Sequence, residues 1–262
     1  MEQSTTESTT FSIVRMHCVM LEKVNFHLSH DSRILEFGCG SGAAVYEYRD
    51  AGFNACGFDI TNYVKLRQPE DMQYFRFALT GKPANIPEYI IDSSFYKIPF
   101  DDEQFDFSFS NSVFEHVMHY HLALAENARV LRQGGMAIHI FPARYAPIEP
   151  HMYVPLGGVI QHYLWYLLWA YLGVRNEYQH HLTPVEVARA NQRYAKTGIN
   201  YVPLNAIQAI SRQYFRDVRL APHLWEMSAD GSLTVRSQRL LRYPFLRWLY
   251  NHTRTVVLIL RK

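Results

Sequence analysis

ILEFGCGSGAA, residues 34–44, carries a buried-looking apolar run straight into three glycines and then into alanines. An apolar run of that length bounded by glycine reads as a short buried strand at 33–37, and Ser41 to Ala51 then resumes helical character. Glycines at 38, 40 and 42 let the backbone turn tightly and let a ligand approach where no Cβ stands in the way. The next segment, NACGFD at 54–59, reads as a second strand that ends on Asp59. A carboxylate there can accept both hydroxyls of a ribose, as expected of a nucleoside cofactor bound at the carboxyl ends of a doubly wound sheet. Gly38, Gly40 and Ala43 formally satisfy the dinucleotide pattern, so NAD is one candidate. Glu36, two residues before the first glycine, favours another. Its negative charge repels a pyrophosphate and attracts the ammonium and sulfonium of S-adenosyl-L-methionine.

Outward from this turn, the chain alternates strands and helices. Phe11, Val14, Cys18, Leu21 and Leu28 make one apolar helical face before the first strand. Further strands are expected at 88–92 (EYIID), 105–110 (FDFSFS) and 136–141 (MAIHIF), with a helix over 119–132 closed by Gly134-Gly135. Residues 143–204 break the alternation and hold five of the twelve prolines, which marks an insertion. A helix at 205–213, a strand at 214–221 and a β-branched last strand at 255–260 (TVVLIL) then resume the pattern. The expected organisation is an N-terminal helical cap over 1–30, an α/β domain from 31–142 and 205–262, and an acceptor-binding lid over 143–204. At 48% hydrophobic and 19% charged, the 262 residues exclude a disordered or coiled-coil chain. Three cysteines, Cys18, Cys39 and Cys56, make neither a disulfide framework nor a zinc spacing and suit a reducing compartment. The first residues, MEQSTTESTTF, do not read as a secretory signal, so a cytoplasmic location is expected.

Three further strings, GFDI at 57–60, KIPFDDEQFDFSFSNSVFEHV at 97–117 and RVLRQGGMAIHIFP at 129–142, complete a set in the right order over 34–142. With the glycine turn, this set resembles the class I S-adenosylmethionine-dependent methyltransferases, in their broad small-molecule branch. The resemblance implies a doubly wound, seven-stranded, Rossmann-like α/β sheet whose last strand is antiparallel, with the helical, aromatic-rich insertion after strand five. It implies that Glu36 holds the methionyl ammonium and that Gly38, Gly40 and Gly42 shape the loop beneath the methionine. Asp59 takes the ribose hydroxyls and Ile60 lies on one adenine face. Asp92 and Ser93 meet the adenine amino edge, with Ser94 open as an alternative because Asp92 stands about two residues further from Pro99 than is usual. Asn111 faces the methionine portion.

Methyl transfer to oxygen calls for a group that handles the hydroxyl proton, and histidine is suited to that near neutral pH. His116, in FEHV after the fourth strand, and His151, in IEPHMYVP, are the catalytic candidates among thirteen histidines. Glu115, His116, His119 and His121 fall within seven residues, but their helical spacing is poor for joint ligation, so no metal is expected. Residues 154–173 are uncharged and aromatic-rich, fitting a lid helix, an interfacial helix or a buried one. Residues 175–262 carry a net charge of +9 against −7 for 1–174, and 236–254 interleaves arginines with aromatics. Together these suit a small-molecule or glycosidic acceptor that bears phosphate or a lipid, with peripheral membrane contact through 154–173 and 236–254, rather than nucleic acid. A non-catalytic cofactor-binding scaffold of the same fold is the alternative, with an NAD-dependent oxidoreductase behind it.

Overall fold

The structure, a computed structural model, describes residues 12–78, 96–221, 224 and 243–262. Its centre is a seven-stranded sheet in the order β3-β2-β1-β4-β5-β7-β6. The strands are β1 (Arg33–Phe37), β2 (Asn54–Asp59), β3 (Phe75–Phe77), β4 (Phe105–Asn111), β5 (Leu131–Phe141), β6 (Asp217–Leu220) and β7 (Val256–Arg261). β1 to β5 run parallel, and β7 enters antiparallel between β5 and β6. The antiparallel seventh strand therefore stands where the sequence places it.

Helices cover both faces because the central strands are apolar on both. Ile34 of β1 packs with α1 (Ile13–Lys23) and α2 (Ala43–Asp50), while Leu35 and Phe37 pack with α3 (Tyr120–Val130) and α6 (Leu204–Ser211). Four of the five β1 residues are buried, the continuous run that a parallel strand between two helical layers requires. On the α3 face two polar pairs are buried. Asn127 donates to Ser108 at 2.9 Å, and Ser110 pairs with His139 at 2.8 Å.

One expectation is corrected, and one strand is added. Gly134 and Gly135 do not close a helix: α3 stops at Val130 and β5 begins at once with Leu131. The glycines lie inside β5, where Gly134 N–H donates to Lys262 O and Lys262 N–H to Gly135 O, tying the strand to the chain's end. The third strand is Phe75–Phe77, paired with β2, a three-residue element with too little pattern to read. The strand expected at 88–92, with Asp92 and Ser93, lies outside the described residues. So do Arg236, Arg239 and Arg242.

Between β5 and α6 come α4 (Tyr163–Tyr171) and α5 (Pro184–Thr197), packed on each other around Tyr166, Ala188 and Ala195. α5 starts with Thr183 and Glu186 capping each other's backbone N–H, with Pro184 in the first turn. α4 is nine residues, and no helix among the described residues is long and apolar enough to cross a membrane. The last helix, α7 (Pro244–Thr253), leads into β7.

Candidate active site

The turn between β1 and α2 is built from positive backbone angles: φ is +78° at Gly38, +47° at Gly40 and +79° at Gly42. A Cβ on Gly38 would lie 2.5 Å from Val113, and one on Gly42 2.8 Å from Phe75. At Gly40 it would meet nothing within 4 Å, because that residue faces an open cleft. Gly38 and Cys39 N–H both donate to Phe58 O, at 2.7 and 3.0 Å, and Gly40 N–H donates to Asp59 Oδ2 at 2.8 Å. Three amides of the turn are thus already engaged within the protein, which leaves fewer of them for a pyrophosphate.

The cleft has a volume of about 460 Å³ and is lined by Gly38, Gly40, Asp59, Ile60, Asn111 and His116, together with Tyr63 and Tyr96. Six expected residues from three separate segments therefore meet at one cavity at the carboxyl ends of β1, β2 and β4. Two expected residues sit below it. Gly42 caps α2, and Glu36 is buried beneath the turn, accepting from Val45 N–H with its Oε2 unpartnered. Burial pushes the Glu36 carboxyl well above its ordinary range, and nearby Asp59 adds to the shift. Asp59 accepts from Ile60 and Thr61 N–H as well as from Gly40. Burial still leaves its carboxyl raised despite those donors. The Asn111 side chain has neither Nδ2 nor Oδ1 satisfied, though both are buried. An exposed Ile60, an unsatisfied Asn111 amide and a Cβ-free approach at Gly40 together fit a nucleoside with a zwitterionic amino-acid tail.

At the far end of the cleft, His116 meets His151, brought from 35 residues away. Their rings lie 4.9 Å apart, and each Nε2 stands 3.9 Å from Glu115 Oε1. His151 rides on a tight loop in which Ile148 and Pro155 pair and Glu149 caps the His151 and Met152 N–H groups. Glu149 Oε1 also accepts from His151 Nδ1 at 2.7 Å and from Tyr201 O–H at 2.9 Å. The Gly198 carbonyl accepts from His116 Nδ1. Carbonyl and carboxylate can only accept, so both Nδ1 atoms carry the proton and both Nε2 lone pairs point inward. Burial opposes charge on His151, but the Glu149 carboxylate outweighs it and raises the pKa, while the same pairing leaves Glu149 lowered against its own burial. Burial lowers His116 and pushes Glu115 up to about 7.

The sequence grouping of Glu115 and His116 with His119 and His121 is dissolved: both of the latter are exposed, His119 edge-on to Tyr96. Glu115, His116 and His151 instead place one donor atom each within 4.8 Å of one another. Sequence reading missed Glu149, Tyr201 and Asn200, whose N–H donates to the Glu115 carbonyl at 2.6 Å. Only the Glu-x-His spacing of Glu149 and His151 offered a signal for the first.

Residues 35–139 match the methyltransferase-domain family. The stretch from β1 to β5 that carries the glycine turn and the cleft is thus similar to a methyltransferase domain. The chain is similar to malonyl-[acyl-carrier protein] O-methyltransferase of Buchnera aphidicola subsp. Baizongia pistaciae, 26% identical over 122 residues. That match covers 46% of this chain and 42% of the relative, so the chain spans less than half the length of the curated protein it matches. Among solved structures it is similar to a phosphoethanolamine N-methyltransferase of Haemonchus contortus (13% identity, 94% of this chain, 52% of the other, TM-score 0.49). It is also similar to geranyl diphosphate C-methyltransferase of Streptomyces coelicolor A3(2) (15% identity, 94% and 78% covered, TM-score 0.46).

Proposed function

We propose that this chain is an S-adenosylmethionine-dependent methyltransferase that delivers its methyl group to an oxygen of a small-molecule, sugar or lipid-linked acceptor. When bound, S-adenosylmethionine supplies a methyl group on a sulfonium, which leaves as a neutral thioether and needs no activation by the protein. Gly40 gives the backbone approach, Asp59 the ribose contact, Ile60 an apolar wall and Asn111 two polar atoms for the methionine portion, with Glu36 a buried counter-charge from below. Asp92 and Ser93 remain proposed for the adenine edge.

The observation that carries the choice of oxygen is the character of the far end of the cleft. His116, His151 and Glu115 converge there as groups that in their unprotonated forms present only acceptor atoms, which suits a hydroxyl approaching with its hydrogen. A second cavity of about 630 Å³ opens on the other side of His151, lined by Asn176, Asn191, Arg193 and Tyr194. His116, which lines the cofactor cleft, thus touches His151, which lines a pocket made wholly by residues 150–194 of the segment we assign as the acceptor-binding lid. Arg193 and the buried, unpartnered Asn191 Nδ2 favour an anionic or phosphate-bearing acceptor in it. The apolar faces of α4 (Leu164, Leu168) and α7 (Phe245, Trp248) are exposed and support peripheral contact with a membrane that carries the acceptor.

The test is S-adenosylhomocysteine formation with phenols, glycosides and lipid-linked sugars, each run beside its amine and thiol counterpart. Turnover on the hydroxyl set supports the reading, and turnover confined to amines or thiols overturns it. Binding of S-adenosylhomocysteine without turnover on any set would favour the scaffold.

A further inference from the structure

Glu149 and Glu115 are both buried carboxylates beside the same two histidines, yet their surroundings differ completely. Glu149 accepts from two backbone amides, the His151 ring and the Tyr201 hydroxyl, and so is saturated. Glu115 is fully buried and neither of its oxygens has a hydrogen-bond partner. An unpartnered buried carboxylate is costly, and native structures rarely keep one without a purpose.

The histidines point at the same spot. Each has its Nδ1 proton engaged on the outer side, His116 by the Gly198 carbonyl and His151 by the Glu149 carboxylate. That is the outer-partner arrangement that fixes a ligating imidazole in the tautomer presenting Nε2. A single acceptor hydroxyl has one hydrogen for these three converging groups, so it satisfies one and leaves two bare. The distances point the same way. At 3.9 Å from each Nε2, Glu115 Oε1 is too far for a hydrogen bond. Donor atoms about 2.0–2.1 Å from a shared tetrahedral ion lie about 3.4 Å apart, so the 3.9 Å pairs would close by about half an ångström, and a pair at the 4.8 Å limit of the group by about 1.4 Å, through side-chain movement.

We propose that Glu115, His116 and His151 form a site for one divalent transition-metal cation of the zinc, cobalt or iron(II) kind. Two imidazoles and one carboxylate suit such ions better than magnesium or calcium, which prefer an all-oxygen shell. Three protein ligands leave a position open, and His116 lines the cofactor cleft while His151 lines the second cavity, so that position faces the two cavities. The site stands on its own geometry; its role rests on the proposed transfer to oxygen. In that role the cation holds the acceptor hydroxyl and lowers its pKa, the O–H bond breaking with the electron pair kept on oxygen and the proton passing to water. The buried-but-bare carboxylate then serves as a ligand, and the charges that burial penalises are offset by the cation.

Binding is read on the full chain without cofactor, after chelator treatment and dialysis, by titrating Co2+ and recording its visible absorption, and by calorimetry with Zn2+. The expected result is saturation at one equivalent, weakened at least about 100-fold in Glu115→Gln and His151→Ala and about 10- to 100-fold in Glu149→Gln, whose side chain only orients His151. His119→Ala, in the exposed neighbour, should bind as the parent does. Because the parent chain is itself measured, a variant that fails to fold does not shelter the proposal. Absence of saturable Co2+ and Zn2+ binding by the parent overturns it, as does binding unchanged in Glu115→Gln and His151→Ala. Metal binding by a protein that does not bind S-adenosylhomocysteine would sink the methyl-transfer reading and leave the site standing; the reverse pattern would do the opposite.

Discussion

Replacing Asp59 with asparagine separates the two jobs assigned to that carboxylate. Three backbone amides, of Gly40, Ile60 and Thr61, donate to it, at 2.8, 2.7 and 3.3 Å. A carboxylate offers about four lone-pair directions, so about one is left for a ribose hydroxyl. Asparagine keeps a single acceptor oxygen. If that oxygen stays with Ile60 and Thr61, the new NH2 faces the Gly40 N–H, donor against donor, at the one turn residue whose Cβ position opens on the cleft. Loss of a hydrogen bond to a charged acceptor costs roughly 1.5–3 kcal/mol, and an unmet buried amide roughly 1–3 kcal/mol. The amide penalty falls mainly on the free protein, whereas the ribose contact exists only in the complex.

Affinity for S-adenosylhomocysteine should therefore fall about 30- to 100-fold, equivalent to about 2–3 kcal/mol. Urea unfolding without ligand should separately show a loss of about 1–3 kcal/mol. Calorimetry on Asp59→Asn, with circular dichroism confirming the fold, measures the first quantity. A folded variant that binds within twofold of the parent would remove Asp59 from the ribose and reduce it to a clamp on the turn.

The glycines of the turn should respond unequally. Gly38→Ala drives a methyl into Val113 as well as straining a left-handed backbone, costing about 2–4 kcal/mol in urea unfolding, while Gly40→Ala pays only the backbone strain of about 1–2 kcal/mol. Equal losses would contradict the close contact. His17 is fully buried among Phe107, Phe109 and Tyr48, and burial lowers its pKa to about 3. Since the unfolded chain takes up that proton near pH 6.5 and the folded one does not, stability is present above pH 6.5 and lost as pH falls toward 3. Against His17→Gln, in which the other titrating groups cancel, the parent should lose about 2 kcal/mol between pH 6.5 and 5. A difference that does not vary with pH would mean His17 is protonated where it lies.

How far the sequence carried the reading depended on how local each signal was. β1, the glycine turn, β2, β4 and β7 were legible because a strand buried on both faces is an unbroken apolar run ended by glycine or a polar residue. The Gly134-Gly135 misreading has a physical origin. Glycine with a positive φ ends helices often, but here the strand starts at Leu131 and its exposed Arg132 and Gln133 look helical. His116 and His151 could each be named from their segments, yet nothing local joined them. Their meeting depends on the 148–155 loop, on Tyr201 reaching Glu149 and on Asn200 N–H reaching the Glu115 carbonyl, contacts that span tens of residues. Glu115 was visible only as part of the wrong group, because helical spacing was assumed where a single 3-10 turn, Phe114–His116, stands.

The charge argument for the cofactor also changes character once Glu36 is placed. Read from sequence, a negative residue before the glycines repels a polyanion. In the fold that carboxyl is buried, has one unpartnered oxygen and is pushed well upward by burial, so without a cation nearby its ionisation is disfavoured. What disfavours a pyrophosphate is the engagement of the Gly38, Cys39 and Gly40 amides within the protein. What a cation gains is the ionisation it induces: a positive group reaching the Glu36 layer lowers the carboxyl pKa, and the proton leaves as the ligand binds. Affinity should then rise with pH, and calorimetry of S-adenosylhomocysteine at pH 7, in buffers of different ionisation enthalpy, should show release of up to about one proton. Glu36→Gln should abolish that release while keeping the shape of the layer. If parent and variant release the same number of protons, Glu36 is only a structural group under the turn, and selection of the cofactor belongs to the engaged amides alone.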